Sequence, residues 1–138
     1  MAKYKLEWDE EYDFDLIGIC SNHADYRLTW TLNKLLDIRL EKEEDYIVGH
    51  KKDGDYRFSF YSYYDEETHI SYYLLRNVSD TFKRLIPEKD QIDFFLILKD
   101  NTELEPEDVV EKIKPSETVL TAFVFNVEEL KSKDNLVF

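Results

Sequence analysis

Cys20 and His23 are the residues whose types and spacing come closest to chemistry. They stand three apart where the apolar run Leu16-Ile17-Gly18-Ile19 ends and a helix is expected to begin. A thiol at a helix amino terminus, close to an imidazole, has a lowered pKa and reacts as the thiolate. Cysteine is also among the most often buried residue types, so a small apolar residue at a strand end explains Cys20 equally simply. As metal ligands the two make half a site, since no second Cys-x-x-Cys or His-x-x-x-His pair completes it. Asp9, Glu11, Asp13 and Asp15 alternate like calcium-loop ligands, yet the glycine and distal glutamate of an EF-hand are missing. A solvated strand face accounts for them better. Three glycines in 138 residues leave little room for a phosphate cradle, and no GxSxG elbow or Ser/His/Asp set is present. The sequence names no catalytic residue, no metal and no cofactor, and it leans away from an enzyme.

Binding residues are easier to nominate. Ile86-Pro87-Glu88-Lys89-Asp90-Gln91-Ile92-Asp93-Phe94 runs into Phe95-Leu96-Ile97-Leu98, the most apolar stretch of the chain. Pro87 sets a rigid corner, and the apolar run predicts a central, buried strand. Glu88 and Asp93 resist a purely packing account. A charge at the mouth of a buried strand needs a partner, and Arg27, Arg76 and Arg84 are the candidates for Asp93. Tyr26 and Trp30, four apart on a predicted helix, form a second apolar ridge beside that helix's buried stripe. Tyr26, Trp30, Glu88 and Asp93 are therefore the candidate binding residues.

The elements that must position them follow from periodicity. Tyr4, Leu6 and Trp8 alternate with charged residues as in a half-buried strand. Tyr12 to Cys20 is a second strand, with Gly18 marking a close backbone approach or a bulge. Asn22 suits the N-cap of a helix running to about Ile38, with Asp25 in its first turn. Ala24, Leu28, Thr31, Leu32, Leu35 and Leu36 form its buried stripe. Tyr46-Ile47-Val48, Tyr56 to Tyr64 and Ile70 to Leu75 read as a tyrosine-rich antiparallel meander, with a turn at Lys51-Lys52-Asp53-Gly54. Arg39 to Asp45 reads as irregular. A second helix, Glu105 to Lys114, begins with Pro106 at its first position. It stands between the Ile92-Leu98 strand and a second inner strand, Thr118 to Phe125, as a possible βαβ crossover would. Asn126 caps a last short turn.

The order predicts an α+β domain over 1–138: a mixed, mainly antiparallel sheet with two main helices packed on one face. That length buries a core without disulfides or metals, and no linker divides the chain. The balance of 18 Lys+Arg against 31 Asp+Glu gives a net charge of −13. A field of that sign repels nucleic-acid backbones and anionic membranes. A single cysteine, with no apolar leader or spanning segment, is expected of a cytoplasmic protein.

Ile86-Pro87-Glu88 and Asp93, with four residues between Glu88 and Asp93 where the motif has three, resemble the motif of the IPExxxDY family of small bacterial proteins. Leu16-Ile17-Gly18-Ile19, Asp25-Tyr26-Arg27-Leu28 and Leu130-Lys131-Ser132-Lys133 extend the likeness over most of the chain. The last motif position is Phe94 where the family has tyrosine, which keeps a packing role and loses any role for the phenolic hydroxyl. The resemblance implies a stand-alone cytoplasmic domain and supplies no catalytic residue.

Two functions of different classes are expected. The first is a non-enzymatic interaction domain with a protein partner, a homodimer included, using the tyrosine meander and the Tyr26/Trp30 ridge. The second is a small-molecule-binding domain or enzyme with a pocket between the first helix and the aromatic sheet, and Cys20, His23 or Asp93 at its rim.

Overall fold

The computed structural model describes residues 13–138 apart from Lys51 and Asp53. The strand expected at Tyr4 to Trp8, and Asp9 and Glu11 of the acidic run, lie outside the described residues. The chain forms β1 (Phe14–Cys20), α1 (Asp25–Leu36), β2 (Glu41–Lys42), β3 (Tyr46–His50), β4 (Gly54–Phe58) and β5 (Phe60–Tyr64). It continues through β6 (Ser71–Arg76), β7 (Phe94–Lys99), α2 (Pro106–Ile113) and β8 (Thr121–Phe125). Short 3-10 turns cover Pro87–Lys89, Val127–Glu129 and Lys133–Asn135.

Six strands make one sheet in the order β2-β5-β6-β7-β1-β8, and β3 pairs with β4 as a separate hairpin. The α+β class and the mainly antiparallel sheet are as expected. All the described ladders are antiparallel. β7 and β8 do run parallel to each other, but β1 lies between them, so the α2 connection creates no parallel ladder.

The central strand is where the apolar run put it. β7 is hydrogen-bonded on both sides, and Phe94, Phe95, Leu96, Ile97 and Leu98 are all buried. Phe94, Leu96 and Leu98 face the helices, where they meet Leu28 and Leu32 of α1 and Val109, Val110 and Ile113 of α2. Phe95 and Ile97 face the other way, into a layer made by the β3–β4 hairpin, Leu85, Ile86 and the carboxy-terminal segment. A strand walled on both faces must be apolar at every position, which is why its sequence shows no alternation. The terminal Phe138 ring locks that second layer. It stacks on Tyr46 at 5.3 Å and lies 4.8 Å from the ring of Tyr73 in β6.

Gly18 is a close approach. A Cβ there would collide with the ring of Phe125 and stand 3.1 Å from Ile92. Gly54 has the positive φ, 83°, that its turn requires.

Five expectations change. The stretch from Tyr56 to Tyr64 is two strands, because the chain breaks at Ser59, whose carbonyl accepts the Arg76 N–H at 3.0 Å. β4 folds into the hairpin and β5 stays in the main sheet, so Tyr61 is buried and Tyr63 is packed beneath the helices. α1 starts two residues later than expected, with Ala24 rather than Asn22 at the cap, and Asp25 accepts the Tyr26 N–H at 2.8 Å. Its buried residues are Leu28, Thr29, Thr31 and Leu32, while Leu35 is exposed. Glu41 and Lys42 form a short edge strand within the segment read as irregular, and β8 is an edge strand, not an inner one.

Candidate functional site

The polar half of the Ile86–Phe94 stretch is committed inside the fold. Glu88 is exposed, yet both its oxygens are in use. They accept the Ser132 N–H at 2.7 Å and the Ser132 hydroxyl at 2.8 Å. Burial opposes its ionisation, but the Ser132 hydrogen bonds outweigh burial and hold the carboxyl below the ordinary range. A carboxylate whose folded pKa is depressed stabilises the fold above its unfolded pKa, and that contribution is lost as pH falls through the folded value. In an acid titration the Ser132 amide resonance should therefore inflect below the unperturbed glutamate pKa of about 4.3. The inflection should vanish in Glu88→Gln.

Among the described residues Asp93 has no arginine partner. Its carboxylate accepts the Ser21 N–H at 2.8 Å, and its backbone N–H and carbonyl bond to Ile19 and to Asn77. A residue not singled out in the sequence holds this corner together. Asn77 is fully buried. Its side-chain amide donates to the carbonyls of Lys89 (3.0 Å) and Ile92 (2.8 Å) and accepts the Ile86 N–H at 2.9 Å. Asking where the backbone groups around Pro87 find partners would have pointed to a nearby buried amide.

Cys20 and His23 are not brought together as a reactive pair. The Cys20 thiol donates to the Gln91 carbonyl at 3.4 Å, and burial together with the Asp93 carboxylate pushes its pKa up. His23 is exposed, and α1 begins beyond it. Asp15 of the acidic run accepts from Asn101 at 2.8 Å, and burial raises its pKa. Among the described residues no group of three or more His, Cys, Asp or Glu could hold a metal ion.

One cluster has the residue types of a nucleophile and base. Lys42 Nζ donates to Ser59 Oγ at 2.5 Å, Ser59 Oγ donates to Asp25 Oδ2, and Lys42 stands 3.8 Å from the same carboxylate. Asp25 accepts the serine proton as a general base would. Burial of its carboxyl, however, is outweighed by the Ser59 and Tyr26 hydrogen bonds and by Lys42, which together hold it below the ordinary range and make it a weak base. Lys42 also gives a proton into the oxygen that would have to attack. The cluster instead ties the first turn of α1 to β2 and to the break between β4 and β5.

The space between α1 and the sheet, where a ligand pocket was expected, is filled by Leu28, Leu32, Tyr61, Tyr72, Leu74 and Leu96. The tyrosine meander is likewise mostly internal. Tyr61 and Tyr72 are buried, Tyr63 and Tyr73 are half-buried, and Tyr64 is exposed.

The outer face of α1 is different. Tyr26 is 72% and Trp30 60% exposed. Lys34 Nζ lies 5.2 Å from the centre of the Trp30 ring. Beside Trp30 runs a groove of about 320 Å³, lined by His23, Arg27, Lys34 and Leu35 from the α1 side and Glu117 and Thr118 opposite. Among the described residues neither Arg27 nor Lys34 is ion-paired with a carboxylate. The face is thus aromatic and locally cationic on a strongly acidic chain. Of the four candidate binding residues, Tyr26 and Trp30 come together on an open surface, while Glu88 and Asp93 are held by internal hydrogen bonds.

No protein-family model and no curated protein matches the chain. Among the described residues no helix is long and apolar enough to cross a membrane.

Proposed function

We propose that the chain is a non-enzymatic, cytoplasmic interaction domain that grips a protein partner along the outer face of α1. The observation that carries this reading is the exposure of Tyr26 and Trp30 on a regular helix whose other face is fully packed. Tyrosine, tryptophan and arginine are the residues on which binding energy concentrates when they become desolvated. Arg27 and Lys34 favour a partner that sets carboxylates around an apolar anchor, since complementary charge steers encounter and fixes register. A second copy meets that requirement if it sets acidic residues against α1 of its partner. The IPExxxDY resemblance fits a stand-alone cytoplasmic domain and adds no activity.

Affinity capture of the chain from its own cells, with quantitative mass spectrometry, tests the reading against Trp30→Ala. The expected loss for such an anchor is about 2 kcal/mol, or about thirtyfold in affinity. The fold should be intact, because exposed substitutions shift stability by roughly 0.5 kcal/mol or less. Identical recoveries from the native chain and Trp30→Ala would sink the reading. So would a monomer by light scattering that recovers nothing.

A further inference from the structure

The outer edge of β8 is a second surface that internal packing leaves unexplained. A sheet edge presents unpaired backbone N–H and C=O groups, and proteins guard such edges with charge, proline or brevity. Among the described residues one edge is guarded and the other is not. At the far side of the sheet β2 is two residues long, and both, Glu41 and Lys42, are charged. β8 is the five-residue run Thr121-Ala122-Phe123-Val124-Phe125, with no charge and no proline. Among the described residues nothing pairs with its outer side.

The side chains suit an added strand. Leu120, Phe123 and Val124 are 60%, 48% and 37% exposed. The register with β1 sets Val124 on the helix face with Ala122, and Phe123 on the opposite face with Phe125. A strand laid along the edge therefore meets an apolar neighbour on each face. On the Phe123 side a groove of about 290 Å³ runs alongside, floored by Ile92, Phe123 and Phe125 and rimmed by Lys89, Asp90 and Gln91.

Charge selects the occupant. Exposed Glu117 precedes β8, and exposed Glu128 and Glu129 follow it. If two copies paired their β8 edges antiparallel about a two-fold axis, the Glu117 end of each would meet the Glu128–Glu129 end of the other, where Glu128 is tied to Lys133 at 3.0 Å and Glu129 carries the charge. Like charges placed opposite each other destabilise a strand pair, and the net charge of −13 adds to the repulsion. A strand with basic ends meets the opposite situation.

We propose that the outer edge of β8 takes up an extended segment of a partner protein as an added strand of the sheet. The segment carries apolar residues at alternate positions and Lys or Arg at its ends. Main-chain hydrogen bonds supply affinity, and the groove beside Phe123 selects one side chain. The site shares Glu117 with the groove beside α1 but does not rest on the reading given for that face.

Fluorescence anisotropy on the full chain tests it, with labelled Lys-Lys-Val-Thr-Phe-Thr-Val-Lys-Lys as the probe. Saturable binding is expected with a dissociation constant below about 1 mM. It should weaken about tenfold or more when the lysines become glutamates, when the core amides are N-methylated, and in Phe123→Lys. Absence of saturable binding, or binding indifferent to N-methylation, overturns the proposal. A chain that is dimeric by light scattering and monomeric as Phe123→Lys assigns the edge to a second copy. A chain that binds the probe only once residues 1–12 are removed assigns it to its own amino-terminal segment. Either result overturns the partner reading.

Discussion

Asn77→Ala should destabilise the chain by about 3–5 kcal/mol, a large share of the total stability of a small domain. The residue is fully buried, and its side chain serves the Lys89 and Ile92 carbonyls and the Ile86 N–H at once. Alanine leaves the Ile92 carbonyl and the Ile86 N–H without the amide that satisfies them, while the Lys89 carbonyl keeps the Ile92 N–H at 3.1 Å. Each buried polar group left unpaired costs about 1–3 kcal/mol. Asn77→Asp should be no better. It keeps the acceptor for Ile86 but turns a carboxylate oxygen toward two carbonyls. Urea denaturation measures the effect, as a lower midpoint with an unchanged slope. A loss under about 1 kcal/mol for both variants would mean that the corner does not depend on Asn77.

Gly18→Ala should cost about 2–3 kcal/mol, the upper part of the range for overpacking a filled core. The new methyl group lands on the edge of the Phe125 ring, with Ile92 close behind. That ring cannot swing aside freely, because it packs against Phe95 at 6.4 Å. Phe125→Leu in the same chain should restore part of the loss, while Phe125→Leu alone lowers stability. Residues in direct contact couple in this non-additive way. The same denaturation series reads all three variants, and purely additive losses would show that the clash is relieved elsewhere.

The parts of the fold legible in the sequence are those set by local chemistry. The unbroken apolar run from Phe94 to Leu98 could only be a strand covered on both faces. Pro106 at the first position, acidic residues in the first turn and Lys112 in the last sufficed to define α2. Asn126 accepts the Glu128 N–H at 3.1 Å, as a cap should. The break at Ser59 was not legible. Alternation continues through it, and the contacts there come from Asp25, Lys42 and Arg76, all distant in sequence. The place of β8 was misread for a related reason. Its apolar residues look like those of an inner strand, and only the strand order reveals an edge.

The candidate site was legible in residue type and not in exposure. The spacing of Tyr26 and Trp30 put them on one ridge, but helical spacing cannot say whether a ridge next to the core stripe faces protein or water. For Asp93 the expectation of a partner was sound and its identity was not. The Ser21 N–H took the place that arginine was expected to fill, and Glu88, for which no partner was named, is held by the N–H and hydroxyl of Ser132. That outcome moves the centre of interest from the Ile86–Phe94 stretch, which builds the sheet's middle, to the outer face of α1.

Hydrogen–deuterium exchange of the chain, alone and saturated with the partner recovered by affinity capture, tests that displacement most directly. Backbone protection on binding should appear in residues 23–35 and 116–118, with residues 86–93 unchanged. Protection confined to 86–93, with α1 unaffected, would contradict it.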